Sequence, residues 1–198
     1  GVGAGASRLI TGNNTLYSKL EKSITHLKKV EASCVFGSGF LANIGVISVL
    51  MNKGDLILID ELSHASTFLG AKLSKAFVVK FKHNDVVDLE KKLKKFRKSY
   101  KKSLILTEGV FSMDGDISPQ EEISKIKNKY NTLLLLDDAH GLGVIGDGSG
   151  SNSIFKRNKT SIDIYMGTLS KAVGAYGGFV CGSKNLINFI VNRCRSQI

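Results

Sequence analysis

Leu133-Leu134-Leu135-Leu136-Asp137-Asp138-Ala139-His140 is the stretch whose reading decides the fold. Four consecutive leucines are too few for a helix face or a membrane span. They suit a strand buried on both faces, as in a parallel sheet covered by helices. The strand runs directly into a carboxylate. A carboxylate leaving an apolar wall is costly unless something positive or hydrogen-bonding meets it. A protonated ring nitrogen would meet that need at Asp137, and His140 could reach the same ligand. A capped turn with two solvated aspartates is the plainer alternative, and both stay open here.

Outward from this strand, short apolar runs alternate with amphipathic ones. Strands are expected at 33–36, 55–59, 77–81, 104–107, 133–136, 164–166 and 178–181. Helices are expected at 40–51, 65–74, 86–98, 119–129 and 186–193, after an N-terminal helix opened by Asn14 or Thr15 with Leu16, Leu20, Ile24 and Leu27 at helical spacing. Asn84 or Asp85 caps the helix at 86, and Pro119 suits a first helical turn. Strands alternating with helices predict an α/β fold with a mostly parallel sheet sandwiched by helices. The ligand of such a sheet sits beyond the carboxyl ends of its strands. Asp60, Glu108 and Asp137 each directly follow an apolar strand.

The 198 residues suffice for one domain with a sizeable core. With 42% hydrophobic and 23% charged residues the composition is that of a globular chain, and no apolar run is long enough to span a bilayer. No signal peptide is visible, and the chain opens on Gly1-Val2-Gly3 rather than Met, which reads as a fragment or a processed chain. Cys34, Cys181 and Cys194 have no paired spacing, so neither a disulfide framework nor a metal site is expected, and a cytoplasmic location follows. The net charge of +11 could attract nucleic acid or a phosphorylated ligand. Much of it sits in Lys91-Lys92, Lys94-Lys95, Arg97-Lys98 and Lys101-Lys102, opposite Leu89, Leu93 and Phe96, which reads as a solvated helix face. Of the aromatic residues in this run Phe96 belongs to the inner side, so neither nucleic acid nor membrane is expected as a partner.

Four further segments carry candidate chemistry. Gly37-Ser38-Gly39-Phe40 lies between a strand and a helix, where free amides and the helix dipole can hold a phosphate, or where a plain tight turn suffices. It matches neither the dinucleotide fingerprint nor the P-loop. Thr168-Leu169-Ser170-Lys171 leads into a Gly/Ala segment, where desolvation would make the amine nucleophilic. Leu62-Ser63-His64-Ala65-Ser66 places a histidine at a strand-to-helix turn, able to stack on a flat ring, move a proton or simply cap. The loop from Glu108 to Asp116 offers Ser112 as a hydrogen-bond donor, or is an ordinary Asp-Gly turn.

Taken in order, these motifs resemble the fold-type I pyridoxal-phosphate enzymes, and more narrowly the α-oxoamine synthases. The similarity runs from Gly3-Ala4-Gly5-Ala6-Ser7-Arg8 to about Gly182. It implies the large domain of that fold over 31–198, led in by a segment at 1–30, and an acyltransferase that condenses an amino acid with an acyl-CoA and releases carbon dioxide. It implies pyridoxal 5'-phosphate as cofactor and a homodimer. Lys171 resembles the lysine that carries the cofactor covalently. Asp137 resembles the carboxylate that keeps the pyridine nitrogen protonated. His140 and Ser112 resemble the partners of the phenolic oxygen, and His64 the stacked histidine. Gly39 and Phe40 match amides near the phosphate, and Thr168 a phosphate ligand. With Lys171, His64, Asp137 and His140 form the implied catalytic set.

Ser63 within Leu62-Ser63-His64, together with Gly5-Ala6-Ser7-Arg8-Leu9 and the 108–116 loop, resembles the branch acting on L-alanine and pimeloyl-CoA in biotin synthesis. Branches forming aminolevulinate or 2-amino-3-ketobutyrate are the alternatives, as is a chain without catalysis. Family chains are longer at both ends: the N-terminal part helps hold the acyl-CoA, and the C-terminal domain supplies an arginine for the substrate carboxylate. Ser149 stands where an arginine is common.

Overall fold

A computed structural model describes residues 3–155 and 160–197. Seven strands form one sheet: β1 (Ala32–Phe36), β2 (Leu56–Asp60), β3 (Phe77–Phe81), β4 (Ser103–Glu108), β5 (Leu133–Asp137), β6 (Ile164–Thr168) and β7 (Gly178–Gly182), in the order β1-β7-β6-β5-β4-β2-β3. β2 to β6 are parallel; β7 runs antiparallel to both β6 and β1. The helices are α1 (Thr15–Lys28), α2 (Gly39–Leu50), α3 (Ala65–Ser74), α4 (Val86–Phe96), α5 (Gln120–Tyr130) and α6 (Lys184–Arg193). The expected mostly parallel, helix-covered sheet is what forms. A short π-helical turn at Arg8–Gly12, which the sequence reading does not anticipate, precedes α1.

The leucines of β5 are central because nothing polar lets them lie elsewhere. Leu134, Leu135 and Leu136 are fully buried, each contributing roughly 1.5–3 kcal/mol relative to exposure. Alternate residues serve opposite faces. Ile57, Ile59, Leu104, Leu106 and Leu135 pack on the face covered by α2, α3 and α6. Leu56, Leu58, Ile105 and Leu134 pack under α4 and α5. Leu136, Tyr165 and Phe179 meet Ile24 of α1.

Local chemistry sets the helix ends. Asn14, Ser38, Asp85 and Ser183 cap α1, α2, α4 and α6 through side-chain oxygens. Pro119 sits one residue before α5 rather than inside it. In α4, Leu89 and Leu93 are fully buried while Lys91, Lys94 and Lys95 are exposed, as is Lys98 just beyond it, so this basic run is a solvated face. The stripe on α1 behaves differently. Ile24 is buried, but Leu16, Leu20 and Leu27 stay exposed, against the expectation of an inner face.

Candidate active site

The parallel strands end together, and the site lies at those ends. Glu108 and Asp137 are the last residues of β4 and β5 and stand opposite each other in register. Thr168 ends β6. These residues and the N-terminus of α2 surround a cavity of about 230 Å³. The same cavity is lined by Gly39, Phe40, His64, His140 and Lys171. Seven of the eight residues singled out in the sequence therefore converge on one cavity.

Ser112 does not line it. Its side chain is exposed on the turn after β4, and its backbone N–H instead donates to the Glu108 carboxyl. Asp60 ends β2 but turns away, accepting from the Leu62 and Asn84 amides. Lys171 lines the cavity at an exposed position, so this chain's own residues do not desolvate it as the small-residue context suggests.

Asp137 is fully enclosed. Burial raises its pKa, opposed by donors that favour the ionised form: Asn43 Nδ2 at 2.8 Å from Oδ2 and the Ala139 amide at 3.1 Å from Oδ1. No cation pairs with it among the described residues. Asn43 also donates to Ser66 Oγ (3.0 Å), and Ser66 Oγ bonds His64 Nδ1 (2.7 Å), so a polar chain links Asp137 to His64. Asn43 Oδ1 is buried without a partner. Asn43 escaped the sequence reading, although a lone asparagine inside the apolar run Gly39-Phe40-Leu41-Ala42-Asn43-Ile44-Gly45-Val46 was its signal. His64 caps α3, its Nδ1 accepting from the Ser66 amide, and lines the cavity as well. His64 thus caps a helix and borders the cavity at once.

Two electrostatic shifts follow from enclosure. His140 is pushed down by burial and by the charges of Lys171 and His64, which keeps its ring neutral near pH 7. Glu108 is pushed up to about 8, first by burial and then by the Asp137 charge, against the His64 amide that donates to Oε1 at 2.5 Å. A folded-state pKa above the ordinary carboxylate value means the folded chain keeps a proton the unfolded chain releases. Stability therefore falls as pH rises from about 5 to 8 and levels off above. Without added cofactor, Glu108→Gln is expected to flatten that slope, read by urea unfolding across pH; an unchanged slope would remove Glu108 as its source.

At the phosphate-sized end, Ser38 caps α2 by accepting from the Leu41 amide (3.1 Å), leaving the Gly39 and Phe40 amides at the cavity wall. A Cβ on Gly178 would lie 2.6 Å from the Gly39 nitrogen, so only glycine lets β7 pass beneath this helix end. Thr168 Oγ1 donates to the Gly177 carbonyl (3.0 Å) and accepts from the Ser170 amide (3.3 Å). Beside the site, Asp138 is not solvated. Lys28 Nζ lies 3.3 Å from its Oδ2, both groups being buried, and also donates to the Ser149 carbonyl (2.6 Å). A Cβ on Gly150 would come within 1.9 Å of that carboxylate.

The chain matches the family described as aminotransferase class I and II over residues 2–198. It is 51% identical, over its whole length, to 8-amino-7-oxononanoate synthase of Beijerinckia indica subsp. indica, covering 51% of that protein. It superposes on serine palmitoyltransferase from S. paucimobilis, solved with a PLP–myriocin aldimine, with a TM-score of 0.93 at 34% identity, covering 99% of this chain and 49% of that one. For 8-amino-7-oxononanoate synthase from Francisella tularensis the TM-score is 0.76 at 30% identity, covering 94% and 54%. The chain thus spans about half the length of the curated relatives it matches. No helix among the described residues is long and apolar enough to cross a membrane.

Pyridoxal phosphate is the cofactor of this family, and the residues present fit it. A buried carboxylate without a cation faces the cavity, free helix amides line one end, and a primary amine lines the rim. The chain belongs to the class I and II aminotransferase family, in its α-oxoamine synthase branch.

Proposed function

We propose that the protein catalyses the pyridoxal-phosphate-dependent, decarboxylative condensation of L-alanine with pimeloyl-CoA to give 8-amino-7-oxononanoate. The observation that carries this reading is the enclosed Asp137, cation-free among the described residues, sharing one cavity with Lys171 and the α2 amides. When bound, the cofactor's ring withdraws electrons from the carbon that gives up its proton. Asp137 holds the ring nitrogen's proton. Lys171 would hold the cofactor through its side-chain amine and, when free, would accept the α-proton. His64 would stack on the ring and His140 would meet its oxygen, whereas the Ser112 side chain, exposed outside the cavity, is not assigned that role. Gly39, Phe40 and Thr168 take the phosphate. Residues 31–198 are the cofactor-binding domain and 1–30 the segment leading into it.

The assembly we propose is a homodimer, supported by the exposed Leu16, Leu20 and Leu27 of α1 beside the exposed Leu9 and Ile10. Three buried, unpaired cysteines fit a cytoplasmic setting. The closer superposition on serine palmitoyltransferase favours a sister synthase as the second reading.

The test has two stages. Borohydride reduction of the protein with added pyridoxal phosphate is expected to abolish the visible absorbance band and leave the adduct on Lys171 in peptide maps. An adduct elsewhere, or no band in folded protein, overturns the site. L-Alanine, glycine and L-serine are then crossed with pimeloyl-, acetyl-, succinyl- and palmitoyl-CoA. Turnover confined to alanine with pimeloyl-CoA supports the substrate assignment, and any other preferred pair replaces it.

A further inference from the structure

His83 stands outside the cavity, on the turn between β3 and α4, and the reaction proposed above does not use it. Both of its ring nitrogens meet carboxylates. Nδ1 lies 3.0 Å from Asp60 Oδ1 and Nε2 lies 2.8 Å from Asp116 Oδ2. A neutral imidazole donates from one nitrogen only, so donating to both requires the imidazolium. Its ring stands edge-on to Phe111 with centroids 4.4 Å apart.

Asp60 belongs to the turn that leads to His64 on the cavity wall, and Asp116 to the loop after β4, whose Ser112 amide holds the cavity-lining Glu108 carboxyl. Asp60 Oδ1 also accepts from the Leu62 amide (3.0 Å), fixing the turn that leads to His64. Asp116 receives Asn84 Nδ2 (2.6 Å), and its carbonyl accepts from the Phe111 amide (3.0 Å), closing the turn that carries Ser112. The Ser112 amide and the His64 amide then converge on Glu108.

We propose that His83 is a positioning residue whose charged ring ties the turn carrying His64 to the loop whose Ser112 amide holds Glu108, and so sets the place of the Glu108 carboxyl against His64 in the cavity wall. The proposal rests on the cofactor-pocket reading for its consequence on turnover.

The groups facing the ring come from three segments. Asp60 and Glu61 lie at the end of β2, Glu61 Oε1 accepting from the His83 amide (3.0 Å). Asp114 and Asp116 lie on the loop after β4, their ligand atoms and the ring's within 4.8 Å of one another. Lys82, Asp85 and Asp88 flank it on its own side. Burial pulls the ring's pKa down, but the hydrogen bonds and charges of Asp60 and Asp116 outweigh it and the net shift is upward. A histidine pKa raised on folding gives a tie fully formed below the ordinary value and lost as pH rises through the folded one.

The test reads the tie directly and then through activity. Hydrogen exchange of the Phe111 amide, which donates to the Asp116 carbonyl, is expected, once corrected for intrinsic rates, to lose about tenfold in protection as pH rises through the ring's pKa. Asp116→Asn should remove that step, leaving low protection throughout. Turnover by wild type should fall about tenfold on the same limb, whereas His83→Gln should be about tenfold slower at acid pH and converge with wild type at alkaline pH. Both variants should still attach cofactor at Lys171. A ratio constant at every pH, or a protection step that survives in Asp116→Asn, overturns the proposal. If His83→Gln does not fold, Asp116→Asn alone decides by the same step. Failure of the cofactor reading looks different: wild type shows no absorbance band, while the exchange step still reports on the tie.

Discussion

Asp137→Asn is expected to lower kcat/KM by about 100- to 1,000-fold while leaving the fold intact. Asparagine has the same shape, so Leu134 to Leu136 and the Ala139 turn keep their packing. Its carbonyl oxygen can keep the Ala139 amide, while its NH2 takes the place of Oδ2 and can donate to Asn43 once that side chain turns its unpartnered Oδ1 inward. What disappears is the charge. The amide nitrogen would present a donor where the proposed role needs an acceptor for a protonated ring nitrogen. Because burial already works against the carboxylate, removing its charge should hold or raise the melting temperature of the cofactor-free protein. Steady-state kinetics with a melting curve of the same sample checks both halves. Full activity in a folded variant would withdraw Asp137 from the mechanism.

Lys28→Met is the variant with the largest expected cost in stability, about 3–5 kcal/mol. Lys28 and Asp138 are both buried, with side chains 2% exposed. Methionine keeps the aliphatic stem but strands the carboxylate, to which, among the described residues, only the Ser151 amide then donates, at 3.2 and 3.0 Å from its two oxygens. It also frees the Ser149 carbonyl and Asn152 Oδ1. For a domain of this size the melting temperature should fall by about 10 °C. Adding Asp138→Asn should recover part of the loss, because the isolated charge is then gone. Thermal unfolding of the single and double variants measures this. Equal melting temperatures for wild type and Lys28→Met would mean the pair is not desolvated in solution.

Much of this could be read from the sequence, for identifiable reasons. Leu133 to Leu136 betray a central strand because a run of four apolar residues that ends in two aspartates has the length of a buried strand and is too short for a helix. Asp137, Thr168 and Lys171 were found because strand ends are where a parallel sheet exposes side chains to a ligand. Gly39 and Phe40 were found because a helix start follows a strand there. Other features depend on contacts that sequence distance hides. Nothing local joins Lys28 to Asp138, so Asp138 read as solvated. The Ser112 hydroxyl was expected to donate into the site, but its turn directs the backbone amide inward instead. The stripe on α1 has helical period, yet period alone does not say which face is covered. Nor does alternation of strands and helices reveal that β7 reverses direction.

That reversal has a consequence for how the chain comes off the ribosome. Among the described strands, β1 pairs only with β7. Phe36 is therefore synthesised long before Gly178, its cross-strand partner, exists. At ordinary elongation rates the wait is of the order of ten seconds. Throughout it the Ala32–Phe36 edge and the apolar underside of α2 lack their covering, while β2 to β5 can already zip together in order. The segment that carries the Gly39 and Phe40 amides thus waits for its β7 neighbour until late in synthesis.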